Sequence, residues 1–191
     1  MSNENKNQKN EVNRKIMLNG NVSESYIGSI VEKINEIINI DEQKMSEDSN
    51  YNPKPIKLMI NSYGGTLHDA NMLIGVIESS TTPIHTYCYG KAMSAGLYIF
   101  ASGHKRFTSP LATFMYHDAT VGFTDTVEGL KASIEQSTKL RDRYDNYIVS
   151  RTNLPKHIMD EKKKLKEDWY LSGEEAIGYG LADEIIEFRT K

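Results

Sequence analysis

The chain has 191 residues and a mass of 21.7 kDa, and its 23 basic and 26 acidic side chains give a net charge of -3. This balance argues against a nucleic-acid binder, which usually carries a basic face. The single cysteine, Cys88, excludes an intramolecular disulfide and favours a reducing compartment. No apolar run reaches the roughly 20 residues of a membrane span, and the amino terminus lacks the apolar segment of a secretory signal. We therefore expect a cytoplasmic α/β protein with no nucleic-acid or membrane partner.

The amino-terminal part of the chain divides into a tail and the start of one domain. Residues 1–14 are polar and predict a disordered tail, and residues 15–191 form the domain. A short strand is expected over 15–19. A helix follows, opened by Ser23, because isoleucines and a valine then recur at helical spacing. Residues 41–55 are acidic and polar and predict a loop.

From residue 54 onward, apolar runs typical of strands alternate with helical periodicity. Strands are predicted at Ile56–Ile60, Ile84–Tyr89 (ended by Gly90), Ala112–Tyr116 and Ile185–Phe188. Helices are predicted after Thr66, over Ala92–Ala101 and Thr126–Arg151, after Pro155, and after Ser172, which has capping-box spacing to Glu175. This alternation with short turns predicts parallel strands joined by right-handed crossovers.

In such a sheet, reactive groups sit where strands end and helices begin. Ser94 lies in a turn of small residues, which lets the backbone bend sharply and leaves room for a substrate carbonyl. A helix start also offers free backbone N–H groups to a developing oxyanion. The spacing is not G-x-S-x-G, so it is not an α/β-hydrolase signature, and simple helix packing remains the alternative for Ser94.

A second turn contains Gly64 and Gly65, where the backbone can approach a ligand closely. The Gly65 N–H is a candidate hydrogen-bond donor to that ligand. Phosphate binding is the competing idea, but neither the dinucleotide fingerprint nor the P-loop spacing is present.

A serine nucleophile needs a base, and the base needs an acid to orient it. Of the five histidines, His117 is best placed because it ends a predicted core strand. Asp118 follows it directly, but neighbours on a strand point to opposite faces. Asp168 stands at a junction before another element and is the better acid, although a solvated loop carboxylate would look the same.

Four segments together carry a family resemblance: KLMINSYGGT, YGKAMSAGLYIFASG, FMYH and DWYLSGEEAIGYGLADEI. In order and spacing they resemble the ClpP family, the proteolytic subunits of Clp proteases, over about residues 15–188. The resemblance implies an α/β fold of the ClpP/crotonase type. This fold is a spiral of repeated β-β-α units with a long handle helix, for which residues 126–151 are placed.

The resemblance also implies roles for individual residues. Ser94 would be the nucleophile, His117 the general base and Asp168 the third triad member. The backbone N–H groups of Gly65 and Ala95 would form the oxyanion hole. No metal or cofactor would be required.

A peptide groove and partners follow from the same resemblance. Thr66, Leu67, Ala119 and Thr120 would hold the substrate by β-like pairing. The implied activity is that of a serine endopeptidase cleaving unfolded or short polypeptides. The implied assembly is a homo-oligomeric heptameric ring, able to stack as a tetradecamer and fed by a Clp-type AAA+ ATPase.

The chain departs from the family pattern at four places. Tyr63 stands where proline is usual, and Asp118-Ala119 replaces a Gln-Pro pair after the histidine. Glu167 replaces an arginine that pairs across the ring–ring interface, and the amino-terminal stretch that docks the ATPase is not recognisable. From the charge of Asp118 we expect a preference for basic substrate residues.

Three alternatives stay open at this point. The protein could be a catalytically silent ring subunit or scaffold. It could be a crotonase-type CoA-thioester enzyme, which shares the spiral fold but needs no Ser-His-Asp set. A Ser-Lys peptidase using Lys91 is the third, although a base three residues before the nucleophile is poorly placed.

Overall fold

A computed structural model describes residues 12–188. The strands in this range are β1 (Lys15–Asn19), β2 (Ile56–Ser62), β3 (Ile84–Met93), β4 (Lys105–Thr108), β5 (Thr113–Tyr116), β6 (Trp169–Ser172) and β7 (Glu184–Ile185). The helices there are α1 (Glu24–Glu47), α2 (Leu67–Ser79), α3 (Ala95–Ala101), α4 (Val127–Arg151), α5 (Lys156–Leu165) and α6 (Gly173–Gly178). The mixed α/β architecture and the alternation of strands and helices are as predicted.

The strands form one sheet whose main path runs β1-β2-β3-β4-β7, with every neighbouring pair parallel. Strand β5 pairs with β3 in parallel and with β6 antiparallel. Parallel pairs place their carboxyl ends at one edge of a sheet, so β3 and β5 end side by side.

The core is built from the sheet and the helices α1, α2 and α3, and every residue of α3 is buried. In β2, every second side chain is buried, so Ile56, Leu58 and Ile60 face the core. Helix α1 buries its isoleucine stripe, including Ile30 and Ile34, as its helical spacing predicts. Burial of each such side chain contributes about 2 kcal/mol.

Helix α1 extends to Glu47, so the predicted loop over 41–55 is wrong for its first part. The reason is Asp41, which is fully buried and accepts hydrogen bonds from Arg14, Tyr51 and Thr82. Burial alone would raise the pKa of Asp41, but these hydrogen bonds outweigh it and the pKa is lowered. Arg14 belongs to the predicted tail, of which residues 1–11 lie outside the described residues.

The predicted end of β3 at Gly90 is wrong, because the strand continues to Met93. Its first half pairs with β4 and its second half with β5, so the strand is supported on both sides of the glycine. The predicted start of the next helix at Ala92 is wrong for the same reason, and α3 begins at Ala95. Strands β4 and β6 were not predicted, and β7 covers less of the predicted strand Ile185–Phe188.

Helix α4 matches its prediction in extent, but its two halves differ in burial. Toward its carboxyl end, Leu140, Tyr144 and Ile148 are buried. Toward its amino end, Val127 and Ile134 are 70% and 57% exposed, although they recur at helical spacing with the buried Ile148. The amino-terminal half therefore projects from the domain core. In residues 12–188, no helix has both the length and the apolar character that crossing a membrane requires.

Candidate active site

Ser94 occupies the sharp turn between β3 and α3. Its backbone has φ 51 and ψ -124, a conformation that costs a non-glycine residue energy and is common at functional turns. The Ser94 N–H donates to the Met115 carbonyl at 2.9 Å, which pins the turn to β5. The sharp turn that the small residues around Ser94 predict is therefore present. The Ser94 hydroxyl faces a cavity.

His117 follows the last residue of β5. Because Met93 pairs with Met115 in parallel register, the residues after these two strands lie close together. The His117 Nε2 atom lies 2.8 Å from the Ser94 Oγ atom, a hydrogen-bond distance. The histidine side chain is 28% exposed, so it is partly shielded from water on the cavity wall.

Asp168 is brought to His117 by β6. The antiparallel register pairs Tyr116 with Trp169, so the next pair along the ladder would be His117 and Asp168. The His117 Nδ1 atom lies 3.9 Å from the Asp168 Oδ1 atom, within ion-pair reach but too far for a hydrogen bond. The carboxylate is 48% exposed, and its Oδ2 atom accepts from the Tyr170 hydroxyl at 3.3 Å.

The Gly-Gly turn needs both glycines. Gly64 and Gly65 have φ values of +104 and +148. A Cβ on Gly64 would lie 2.6 Å from the Ser94 Cβ, and a Cβ on Gly65 would lie 2.2 Å from the Val22 carbonyl oxygen. Val22 bridges this turn to the start of α1 through two backbone hydrogen bonds of 2.9 Å. The turn therefore packs directly against the serine.

Among the described residues, no backbone acceptor lies within hydrogen-bond distance of the N–H groups of Gly65 and Ala95, beside Ser94. Ala95 is the first residue of α3, where N–H groups have no partner within the helix. These are the two donors expected for an oxyanion hole.

A cavity of about 640 Å³ opens beside Ser94 and His117. All four residues predicted for the substrate groove line it: Thr66, Leu67, Ala119 and Thr120. Further wall residues were not predicted from the sequence, namely Tyr98, Met115, Phe123, Leu140, Arg141 and Tyr144. Leu140 and Tyr144 lie one helical turn apart on α4, and this spacing does not indicate that they face a cavity.

Other candidate groups have different partners. The Lys91 ammonium lies 3.3 Å from Asn61 Oδ1 and 4.2 Å from the centre of the Tyr63 ring, whereas Ser94 contacts His117. Cys88 is buried, and burial raises the pKa of its thiol to about 12, which keeps it protonated.

Asp118 is partly neutralised by an arginine. Its Oδ1 atom lies 3.8 Å from Arg141 Nη1, on the wall of the cavity. This pairing weakens the argument from Asp118 for a preference for basic substrate residues. Among residues 12–188, no group of three or more His, Cys, Asp or Glu side chains could hold a metal ion.

Comparison with known proteins identifies the family. Residues 4–189 match the family described as Clp protease. The chain belongs to the Clp protease family. The ATP-dependent Clp protease proteolytic subunit of Deinococcus radiodurans is 28% identical over 166 residues, which cover 85% of this chain and 79% of the relative. The parallel sheet and flanking helices agree with the fold of a Clp protease family member, as the resemblance implied.

Proposed function

We propose that the protein is a serine endopeptidase of the Clp protease type, acting through Ser94, His117 and Asp168. The observation that carries the proposal is the 2.8 Å contact between Ser94 Oγ and His117 Nε2 at the wall of a peptide-sized cavity. Membership of the Clp protease family supports the same reaction class.

In the proposed reaction, Ser94 Oγ attacks the scissile carbonyl carbon while His117 Nε2 takes the hydroxyl proton. The carbonyl oxygen becomes an oxyanion held by the N–H groups of Gly65 and Ala95, for which residues 12–188 offer no other backbone acceptor. Each such donor contributes about 3 kcal/mol to the transition state in comparable sites. His117 then protonates the leaving amine, the C–N bond breaks, and water hydrolyses the acyl-serine by the same steps.

The role proposed for Asp168 is to orient His117 and to stabilise the imidazolium. At 3.9 Å the two groups attract each other without a hydrogen bond. Catalytic hydrogen bonds are often long before substrate binds and shorten in the complex. We expect the Nδ1–Oδ1 distance to shorten when a peptide fills the cavity.

We propose that the substrate peptide lies extended between the Thr66–Leu67 and Ala119–Thr120 segments. The Thr66 N–H and carbonyl are already bonded to Val22 and Ala70. Main-chain pairing with the substrate would therefore fall mainly to the Ala119–Thr120 side, while Thr66 and Leu67 act as wall residues.

Family membership supports ring assembly and an ATPase partner, as does the similarity to an ATP-dependent proteolytic subunit of Deinococcus radiodurans. We propose a homo-oligomer, a heptameric ring that stacks through the projecting half of α4, with a Clp-type AAA+ ATPase supplying unfolded substrate. Glu167 makes an ion pair with Lys162 at 2.8 Å. Because a carboxylate stands where the family usually has an arginine, the charge that faces an opposing ring would differ. Size exclusion with light scattering tests assembly, and a fully active monomer would contradict it.

The experiment that tests the activity measures hydrolysis of short fluorogenic peptides by the full chain. We expect wild type to hydrolyse them, Ser94→Ala to be inactive, and Ser79→Ala, an exposed serine on α2, to match wild type. Assembly without hydrolysis would favour the silent scaffold. Thioester turnover retained by Ser94→Ala would favour crotonase-type chemistry.

A further inference from the structure

We propose that Tyr144 and Asp145, adjacent on α4, are positioning residues that hold three segments of the candidate active site together. These segments carry the Gly-Gly turn, His117 and Asp168. The catalytic consequence of this inference rests on the proposed function, whereas the positioning itself rests on contacts that can be tested without any activity.

Asp145 first fixes the strand that carries His117. Its side chain is 1% exposed, and its Oδ1 atom accepts a hydrogen bond from the Tyr116 hydroxyl at 2.8 Å. Tyr116 is itself buried and directly precedes His117. Burial and the charge of Asp145 raise the pKa of Tyr116, so the phenol remains a donor. The end of β5 is thereby tied to α4.

The second oxygen of Asp145 fixes the segment before Asp168. Its Oδ2 atom lies 2.5 Å from Lys163 Nζ on α5. Burial disfavours the charge on Lys163, but hydrogen bonds to Asp145 and Asp160 outweigh this and raise its pKa. The chain leaves α5 through two bonds, from Lys166 N–H to the Lys163 carbonyl at 3.1 Å and from Glu167 N–H to the Lys162 carbonyl at 3.0 Å. These bonds restrict the conformations of the short segment between Lys163 and Asp168.

Tyr144 fixes the segment after the Gly-Gly turn. Its hydroxyl donates to the Leu67 carbonyl at 2.5 Å, at the first residue of α2. Its ring packs edge-on against Tyr98 of α3 with centres 4.6 Å apart, and both rings line the cavity. Tyr98 lies one helical turn after Ser94, so this contact also braces the nucleophile turn.

A buried carboxylate is a poor way to gain stability alone. Replacing a buried ion pair by apolar groups of similar volume is often neutral or stabilising, because desolvation offsets the attraction. Here both carboxylate oxygens are used, each by a different element of the site. Directional bonds of this kind specify one arrangement of the elements, which is what a catalytic geometry requires.

The test compares matched tyrosine-to-phenylalanine variants of the full chain. Tyr116→Phe removes the bond to Asp145 and keeps the ring. Tyr147→Phe is the control, because Tyr147 is also on α4 and donates to Glu78 at 2.5 Å, away from the site segments. We expect kcat for a short peptide to fall about tenfold or more in Tyr116→Phe with KM within about twofold, and neither to change in Tyr147→Phe.

A double variant separates positioning from general loosening. If Lys163 acts through Asp168, Lys163→Met lowers kcat in wild type but adds less than about a twofold loss in an Asp168→Asn background, since coupled residues are not additive. Equal losses in both backgrounds would overturn the link to Asp168.

Amide exchange measured by mass spectrometry is independent of catalysis. We expect Tyr116→Phe and Tyr144→Phe to speed exchange in peptides covering residues 64–68, 115–120 and 166–169, and Tyr147→Phe to leave these unchanged. If wild type lacks peptidase activity but these peptides still respond, the proposed function fails and the positioning stands. If wild type is active and Tyr116→Phe and Tyr144→Phe match Tyr147→Phe in rate and exchange, the positioning inference is wrong.

Discussion

The two sides of His117 are built differently. Toward Ser94, the imidazole makes a contact of 2.8 Å between groups that end two adjacent parallel strands. Toward Asp168, the separation is 3.9 Å, and the carboxylate is 48% exposed on a segment that enters a short antiparallel strand. The nucleophile and base are therefore held by the sheet itself, whereas the acid depends on what holds α5 and β6.

The site is more rigid on the Ser94 side of His117 than on the Asp168 side. Three register pairs and the bond from the Ser94 N–H to Met115 lock β3 to β5. On the other side, the segment between α5 and β6 passes through Lys166, which has a left-handed backbone with φ 57. We therefore expect damage to the serine side to abolish the reaction and damage to the aspartate side to weaken it.

The largest expected effect comes from removing either partner of the tight contact. Ser94→Ala and His117→Ala should each lower kcat on the order of a million-fold, as in other triads. Steady-state hydrolysis of a fluorogenic peptide measures this. A loss of less than about a hundredfold in His117→Ala would mean that another group, such as Lys91, serves as the base.

Asp168→Asn should have a smaller effect, about 10⁴-fold in kcat or less, because the residual oxyanion hole and the Ser-His contact remain. The measurement is the same assay at matched oligomer concentration. Asp118→Asn is the control, since Asp118 lies beside Arg141 and not beside the histidine nitrogen. A larger loss in Asp118→Asn than in Asp168→Asn would reverse the assignment.

Gly64→Ala tests the serine side without touching a reacting atom. The added Cβ would meet the Ser94 Cβ at 2.6 Å in a backbone with φ +104, so the turn must shift. We expect a loss of about 10²-fold in kcat/KM, the scale of a 1 Å displacement. Gly75→Ala on α2, where a Cβ has open space, is the matched control. Equal activity in both variants would contradict the close packing of the turn against Ser94.

Asp41→Asn should change stability and leave the rate per folded molecule unchanged, since neither Asp41 nor its partners Arg14, Tyr51 and Thr82 line the cavity. Breaking this buried pair costs about 3 kcal/mol of unfolding free energy. The folded-state pKa of Asp41 is lowered from 3.8, so its stabilisation is complete above that pH and lost as pH falls through the folded value. Denaturant melts should therefore show a constant gap from wild type at neutral pH that narrows below 3.8. A constant gap at all pH values would contradict this.

Much of the fold was predictable because apolar spacing records which face is buried. The stripe of α1, the alternation in β2 and the capping box at Ser172, in which both reciprocal bonds form, all follow from local pattern. Strand β4 was not predicted because it begins with two charged residues, Lys105 and Arg106, and its pairing partners are distant in sequence. The end of β3 was wrongly predicted at Gly90 because a glycine weakens a strand locally. Pairing with β4 before the glycine and with β5 after it maintains the strand.

The candidate site, like the fold, was only partly predictable from local sequence. Ser94 and His117 could be proposed from their places at strand ends, and Asp168 mainly from a family resemblance. The 3.9 Å gap could not be predicted, because it depends on how α5 packs on α4 through Lys163 and Asp145. Tyr144 looked like ordinary core because helical spacing does not say what a residue faces.

Labelling with a fluorophosphonate probe tests whether Ser94 is an activated nucleophile, because the probe reports a serine activated by a histidine beside it. We expect one label per chain, located at Ser94 by peptide mass spectrometry. Labelling should be abolished in Ser94→Ala and at least a hundredfold slower in His117→Ala. Absence of labelling in folded wild type in every assembly state, or labelling that survives in Ser94→Ala, would contradict this expectation.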